Sequence, residues 1–394
     1  MKKLVVQDKK IFYAGLVYFI CIVLYIGVRI LWGTGIFKNV DPIISDLLFS
    51  TAVQILILAG LPFLLWKLLA KQTFKQTAQQ FFFKKISVKT IFISLGLGVL
   101  AYILVIYAST FWNTIINFLG YTPSNGSSAS SSLPVWLAFI ITIVTTSFMP
   151  GFCEETAHRG MILGTSRKNG FKRAILLSAL MFALAHLNIV QFGHAFVVGL
   201  ILGAVTFISR SIFPAMIIHG TNNFCSIYMD YASAYDWVGG NLMEGVTNFL
   251  TNSSVFVSLI LAFLVLGVVL VLGGMLIMQL YIENKRRKFG EFKQNLYNSI
   301  KGTELESMVD FKNDFELLAL FNKASANDLK EKIDSGKIPI AHLEKEIGNS
   351  PLSTMIYSEL EELKPVHRLD YIFFYMAIVM MTIGTIATFI WGAF

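Results

Sequence analysis

Long apolar runs recur along this chain, and they constrain its fold more than any other feature. They lie at about 11–32, 47–70, 91–119, 135–165, 174–190, 193–209, 212–230, 254–282 and 370–393. A helix needs about 20 apolar residues to cross the hydrocarbon layer, and an irregular chain cannot satisfy its backbone polar groups there. With 55% hydrophobic and 14% charged residues, the sequence predicts an all-α polytopic membrane protein, a multi-helix transmembrane bundle of about nine spans in the lipid bilayer.

The basic residues between these runs predict the side of the membrane on which each loop lies. Lys and Arg cluster in alternate loops, at 2–10, 67–89, 167–173 and 285–288, whereas the loops between hold few of them. Cytoplasmic loops carry this excess, so we expect a cytoplasmic N-terminus and an outside C-terminus. The pattern is compatible with a bacterial cell membrane. No nucleic-acid motif is present, and we attribute the basic residues to topology.

The same patterns divide the chain into five parts. They are the N-terminal transmembrane helices at 1–134, core helices at 135–230, an outer loop and helix at 231–282, a polar segment at 283–369, and a last helix at 370–394. The polar segment has balanced charge and short amphipathic stretches, which predicts a small helical cytoplasmic insertion. It contains no catalytic motif, so we interpret it as a structural segment or a docking segment for a protein partner.

Two carboxylates stand at the end of the apolar run that begins at Val135. An ionisable residue inside a membrane segment is a candidate functional residue by default. Glu154 and Glu155 point about 100° apart on a helix, so they cannot face the same partner. Arg159 follows Glu155 at ion-pair spacing, which leaves Glu154 to face the bundle interior as a general base. Pro150-Gly151 should bend or break the helix and open room for water.

Further polar residues occur at a similar predicted depth. His186 ends one apolar stretch, and His219 and Asn223 share one face of the next helix. A lone histidine in a membrane helix is more often a satisfied hydrogen-bond partner than a catalyst. Two histidines and a glutamate at one depth favour a shared chamber. In this chamber Glu154 and His186 would hold and deprotonate a water, and His219 and Asn223 would donate hydrogen bonds to an oxyanion.

Four motifs in this order carry a resemblance to a known family. They are Glu-Glu-x-x-x-Arg-Gly at 154–160, Phe-x-x-x-His at 182–186, Gly-x-x-x-Gly at 199–203 and His-x-x-x-Asn at 219–223. Together they resemble the CPBP family, the CAAX-protease and bacteriocin-processing intramembrane proteases, also called the Abi family, which includes the Rce1-type CAAX endopeptidases. The resemblance covers about residues 135–230 and leaves out the segment at 283–369.

The resemblance implies roles for the polar residues. Glu154 would activate water with the help of His186. Glu155 would pair with Arg159. The residues that would stabilise the oxyanion are His219 and Asn223.

Dependence on a metal stays open in this comparison, because the family has been described both as metalloproteases and as glutamate-dependent enzymes. Glu154, His186 and His219 are of the residue types that form a His₂Glu zinc site with an open coordination position. No His-Glu-x-x-His motif is present, so we expect a glutamate-activated water and keep zinc as the second option.

These observations predict an intramembrane endopeptidase that hydrolyses a peptide bond of a membrane-associated peptide or protein. The resemblance suggests processing of secreted peptides or bacteriocins, or immunity to them. One alternative is a catalytically silent scaffold that binds an envelope partner through residues 283–369. Another is a proton-coupled transporter with Glu154 and the histidines as a relay.

Overall fold

The chain folds entirely into helices and turns wherever the structure describes it. This computed structural model describes residues 9–121, 131–167, 170–241, 254–302 and 368–391, with single positions between 242 and 253. The helices are α1 (Lys9–Gly33), α2 (Pro42–Leu69), α3 (Phe74–Gln80), α4 (Val88–Phe118), α5 (Val135–Ser166), α6 (Phe171–Ala185), α7 (Ile189–Ser209), α8 (Phe213–Ala234), α9 (Val255–Ile300) and α10 (Ile372–Trp391). The predicted all-α class is therefore confirmed.

Seven of the described helices are long and apolar enough to cross a membrane: α1, α2, α4, α5, α7, α9 and α10. The protein is a multi-pass membrane protein, and the predicted count of nine spans is approximate. The difference lies in α6 and α8, which also coincide with predicted spans. Helix α6 has 15 residues and reaches about 22 Å, short of a layer about 30 Å thick. Helix α8 has 22 residues and so is longer than α6, but it carries the polar side chains of His219, Asn222 and Asn223 in its middle.

Wide π-helical turns interrupt α2 and α5, the two helices that meet at the polar centre. They span Thr51–Gly60 in α2, and Val144–Phe148 and Thr156–Leu163 in α5. The expectation that Pro150-Gly151 breaks the helix is wrong, because α5 continues without a break from Val135 to Ser166. The π-helical turn that ends at Phe148 places Pro150 at the start of a new α-helical stretch, where its missing N–H costs little.

Two buried apolar clusters flank the polar centre. One joins α1, α2, α5, α6 and α10 around Tyr18, Trp66 and Met161. The other joins α4, α6, α7 and α8 around Ala183 and Leu202. Helix α6 contributes to both clusters, so the first half of the bundle meets the second along this short helix.

The chain divides into two units, residues 1–280 with 364–394 and residues 281–363. The polar centre lies wholly in the first unit. Of the second unit the structure describes only the end of α9 and the turn at 301–302. The rest of the predicted insertion at 283–369 falls outside the described residues, so its fold stays a prediction.

Candidate active site

A buried ion pair anchors the centre of α5. Glu155 and Arg159 are both fully buried, and Arg159 Nη1 donates to Glu155 Oε1 over 2.9 Å, the contact that their spacing predicts. The second terminal nitrogen of Arg159 donates to the backbone oxygen of Gly199 in α7 at 3.1 Å. Removing one partner of such a pair costs about 3–5 kcal/mol, because it leaves an unpaired buried charge. This pair therefore fixes α5 against α7.

His219 joins the same carboxylate from α8. Its Nδ1 lies 2.9 Å from Glu155 Oε1, the oxygen that Arg159 also contacts. Because an ionised carboxylate only accepts, Nδ1 of His219 carries a proton and donates. Glu155 thus orients the His219 ring, as a carboxylate orients the histidine of a catalytic triad.

Glu154 faces a different environment from its neighbour. It is half-buried, and its Oε1 accepts a hydrogen bond from Gln54 Nε2 of α2 at 2.7 Å. The two glutamates thus differ in their contacts, since Glu155 lies in the ion pair that the spacing predicts and Glu154 lies outside it.

His158 contacts the backbone of Glu154 and not its carboxylate. Its Nδ1 lies 2.8 Å from the carbonyl oxygen of Glu154, and its Nε2 lies 2.9 Å from the hydroxyl of Tyr18. A carbonyl only accepts, so Nδ1 donates, and Nε2 of the neutral ring accepts from the Tyr18 hydroxyl. Both ring nitrogens are occupied, which makes His158 a structural member of the site.

His186 keeps one ring nitrogen available. Its Nδ1 lies 2.9 Å from the carbonyl oxygen of Phe182, so that nitrogen donates and Nε2 of the neutral ring is an acceptor. His186 also caps the C-terminal end of α6, and Arg29 Nη1 donates to its carbonyl oxygen at 3.0 Å. A cation at a helix C-terminus is stabilising, so Arg29 holds the end of the helix that carries His186.

The ring of Phe182 contacts all three of the histidines named above. Edge contacts join it to His158, His186 and His219 at centroid distances of 5.3, 5.0 and 5.5 Å. The guanidinium of Arg159 lies over the same ring, 4.4 Å from its centroid. This fully buried ring therefore connects the Glu155 network with the Glu154 side of the site and sets the spacing of the imidazoles.

A cavity of about 560 Å³ opens between α1, α2, α5 and α6. Glu154, His158, His186 and Gln54 line it, together with Tyr25 and Arg29 of α1. Its volume falls within the range of small-molecule ligand sites. The structure thus brings Glu154 and His186 to one cavity, as the chamber hypothesis requires.

Two of the predicted site residues lie away from this lining. The cavity wall includes neither His219 nor Asn223. Asn223 donates to the carbonyl oxygen of Thr146 at 2.9 Å and accepts from Asn222. Both α8 residues therefore contact α5 outside the cavity wall.

The donor set for a metal is not assembled. Within the described ranges, no three His, Cys, Asp or Glu side chains converge closely enough to hold a metal ion. Of the candidate zinc ligands, Glu154 and His186 share the cavity, while His219 is engaged with Glu155. The residues do not fit a zinc site, and we derive no step through a metal.

Gln54, Tyr18 and Arg29 belong to the site but are missed by the sequence analysis. They lie on α1 and α2, more than 95 residues before the motifs, and each is a polar residue in a mainly apolar run. A polar residue in a membrane helix tends to face the bundle interior, which is the one signal that marks them. That signal does not tell which helix they meet.

Comparison with known proteins places one segment of the chain in a family. Residues 136–225 match the family described as type II CAAX prenyl endopeptidase Rce1-like. The matched segment holds Glu154, His158, His186 and His219, and it ends just after Asn223. No curated protein and no solved structure gives a significant match to the chain.

Proposed function

We propose that the protein is an intramembrane endopeptidase. The proposal starts from the Rce1-like domain at residues 136–225, the segment through which this chain belongs to the CPBP family of proteases. Its substrate would be a membrane-associated peptide or protein. The observation that carries the proposal is the shared cavity of Glu154 and His186 among membrane-spanning helices.

The chemistry needs a base, a water and a carbonyl carbon within reach of each other. In the proposed reaction the Glu154 carboxylate takes a proton from a water molecule, and Nε2 of His186 accepts the second O–H of that water. The water oxygen bonds to the peptide carbonyl carbon and gives a tetrahedral oxyanion. The proton then passes from Glu154 to the amide nitrogen, the C–N bond breaks, and a carboxyl and an amine are released.

For the oxyanion we propose the roles that the family resemblance implies for His219 and Asn223. The Glu155 carboxylate accepts a hydrogen bond from Nδ1 of His219 and orients the ring, so that a proton on Nε2 would be the donor to the oxyanion. Both residues lie outside the cavity wall, so the proposal requires the substrate carbonyl to reach past Phe182 towards α8.

We further propose a bacterial cell membrane as the location. The N-terminus and residues 283–369 would lie in the cytoplasm. Loop charges support this orientation through the positive-inside rule.

The test replaces the base and measures processed peptides. Cells with the wild type are compared with cells that carry Glu154→Gln at equal membrane levels, and their membrane and secreted peptides are profiled by mass spectrometry. We expect the processing of at least one peptide to fall by about 10²-fold or more in the variant, because general bases contribute about 10²–10⁴-fold.

The matched control is Glu291→Gln, the same chemical change on a carboxylate whose side chain is 48% exposed on α9. Its profile should equal that of the wild type. Equal profiles for Glu154→Gln and wild type would refute hydrolysis. If deletion of the whole chain still changed the cells in that case, the non-enzymatic scaffold would become the better account.

A further inference from the structure

Gln54 is the residue that holds the carboxylate of Glu154. Its Nε2 donates to Glu154 Oε1 over 2.7 Å, at the short end of the range for N–H···O contacts. Among the described residues no second side chain donates to this carboxylate, since His158 contacts only the backbone of Glu154. The position of the carboxylate therefore depends on one amide from another helix.

The orientation of the Gln54 amide follows from this contact. Rotating the amide by 180° would place its oxygen against a carboxylate oxygen, and two acceptors repel each other. In the present orientation Gln54 Oε1 is buried and has no hydrogen-bond partner among the residues that the structure describes. A buried acceptor without a partner is unfavourable, so the contact of Gln54 Nε2 with Glu154 outweighs the cost of leaving Oε1 without a hydrogen bond.

The local backbone presents Gln54 to α5. It lies in the π-helical stretch Thr51–Gly60, and that stretch packs against the part of α5 that begins at Met149. Such wide turns are rare and occur often at functional sites. This helix lies wholly outside the segment that matches the family, residues 136–225.

We propose that Gln54 is a positioning residue for hydrolysis, which fixes one oxygen of the Glu154 carboxylate so that the other faces the reacting water. The inference rests on the proposed function. Other titratable and charged groups on the same cavity are Tyr25 and Arg29 from α1, Asp46 from α2, His158 from α5 and His186 from α6. None of them donates to the Glu154 carboxylate in the described structure.

The first experiment replaces Gln54 by methionine, which has a similar length and no N–H. For Gln54→Met we expect kcat for peptide cleavage to fall by about 10- to 100-fold, the size of a lost charge-assisted hydrogen bond, with KM within about twofold.

The matched control is Leu56→Met, two residues along the same helix at a side chain that is 61% exposed. It should leave kcat and KM unchanged. If Gln54→Met lowers kcat only in proportion to the loss of folded protein, or raises KM as strongly as it lowers kcat, the residue is structural and the proposal is wrong. A kcat within about twofold of the wild type overturns it as well.

A second measurement does not require turnover. A hydrophobic carbodiimide modifies protonated carboxyl groups in membranes, and its product at residue 154 can be quantified by mass spectrometry, with Glu154→Gln as the blank. We expect faster modification in Gln54→Met than in the wild type and in Leu56→Met, because the Gln54 amide no longer binds the carboxyl group of Glu154. Equal rates overturn the coupling between Gln54 and Glu154. If the coupling is found but no peptide is cleaved, the endopeptidase proposal fails and the Gln54 contact stands.

Discussion

At the scale of single residues, one oxygen atom organises the buried charges. Glu155 Oε1 accepts from Arg159 Nη1 and from His219 Nδ1, both at 2.9 Å, while Glu155 Oε2 is buried without a partner. The i+4 spacing predicts the first contact. The second joins residues 64 positions apart, and no local pattern encodes it. The carboxylate therefore links the ion pair of α5 to the imidazole of α8.

This arrangement predicts a strong energetic coupling between Glu155 and Arg159. Arg159→Met should lower the free energy of unfolding by about 3–5 kcal/mol, because it leaves a fully buried carboxylate without its cation. The double variant Glu155→Gln with Arg159→Met should also have a lower free energy of unfolding than the wild type. Its decrease should be smaller, by at least about 1 kcal/mol, than the sum of the decreases of the two single variants. Titration of the purified protein from mild detergent into a denaturing one measures all four forms. Additive losses would contradict the coupling.

At the scale of elements, close contact between α6 and α7 holds the site together. A Cβ built on Gly199 would lie 2.9 Å from Cα and 3.0 Å from Cβ of Ala179, closer than unstrained packing permits. The Gly-x-x-x-Gly pattern of α7 predicts such an approach. The π-helical turns of α2 and α5 have no comparable signature, and they decide which residues face the cavity. The sequence therefore predicts which helices exist better than it predicts how they are rotated.

The contact at Gly199 can be tested with one methyl group. Gly199→Ala should destabilise the protein by about 1–3 kcal/mol through overpacking against Ala179, and it should weaken the hydrogen bond from Arg159 to the Gly199 carbonyl. Gly267→Ala is the matched control, since a Cβ there meets nothing within 4 Å. Thermal unfolding in detergent compares both variants with the wild type. Equal midpoints for the two variants would rule out the close approach.

At the scale of the whole molecule, the candidate site is assembled from parts far apart in the chain. Residues between 25 and 58 form one wall of the cavity, and residues between 154 and 191 form the other. The C-terminal helix α10 packs against α1 and accepts a hydrogen bond at Thr388 Oγ1 from Ile189, the first residue of α7. The motifs predict Glu154 and His186, but long-range contacts between helices decide what faces them.

The turn between α1 and α2 closes one end of this assembly. Asp41 lies outside the membrane-spanning helices and accepts from the backbone and hydroxyl of Ser132 at 2.7 and 2.8 Å. Its Oδ1 also accepts from the Ser131 hydroxyl and the Ile43 N–H. The contacts tie the start of α2 to the residues that precede α5. Trp32 and Asp46, which flank this turn, line the cavity.

These contacts predict a dependence of stability on pH. Partial desolvation would raise the pKa of Asp41, but the hydrogen bonds from Ser132, Ser131 and Ile43 outweigh it and lower the pKa from 3.8 to about 2. Because the folded-state value is the lower one, the ionised carboxylate stabilises the folded protein. That contribution is complete above about pH 5 and is lost as the pH falls through about 2.

Comparison of the wild type with Asp41→Asn isolates this contribution from other acid-sensitive groups. We expect the wild type to have the higher thermal midpoint in detergent at neutral pH. The difference should stay constant down to about pH 5 and should narrow steadily below about pH 4 as the carboxylate is protonated. A difference that keeps its size down to about pH 2 would show that the Asp41 charge does not hold the turn. In that case the protonated carboxyl of Asp41 would hold the serines before α5 as well as the ionised one does.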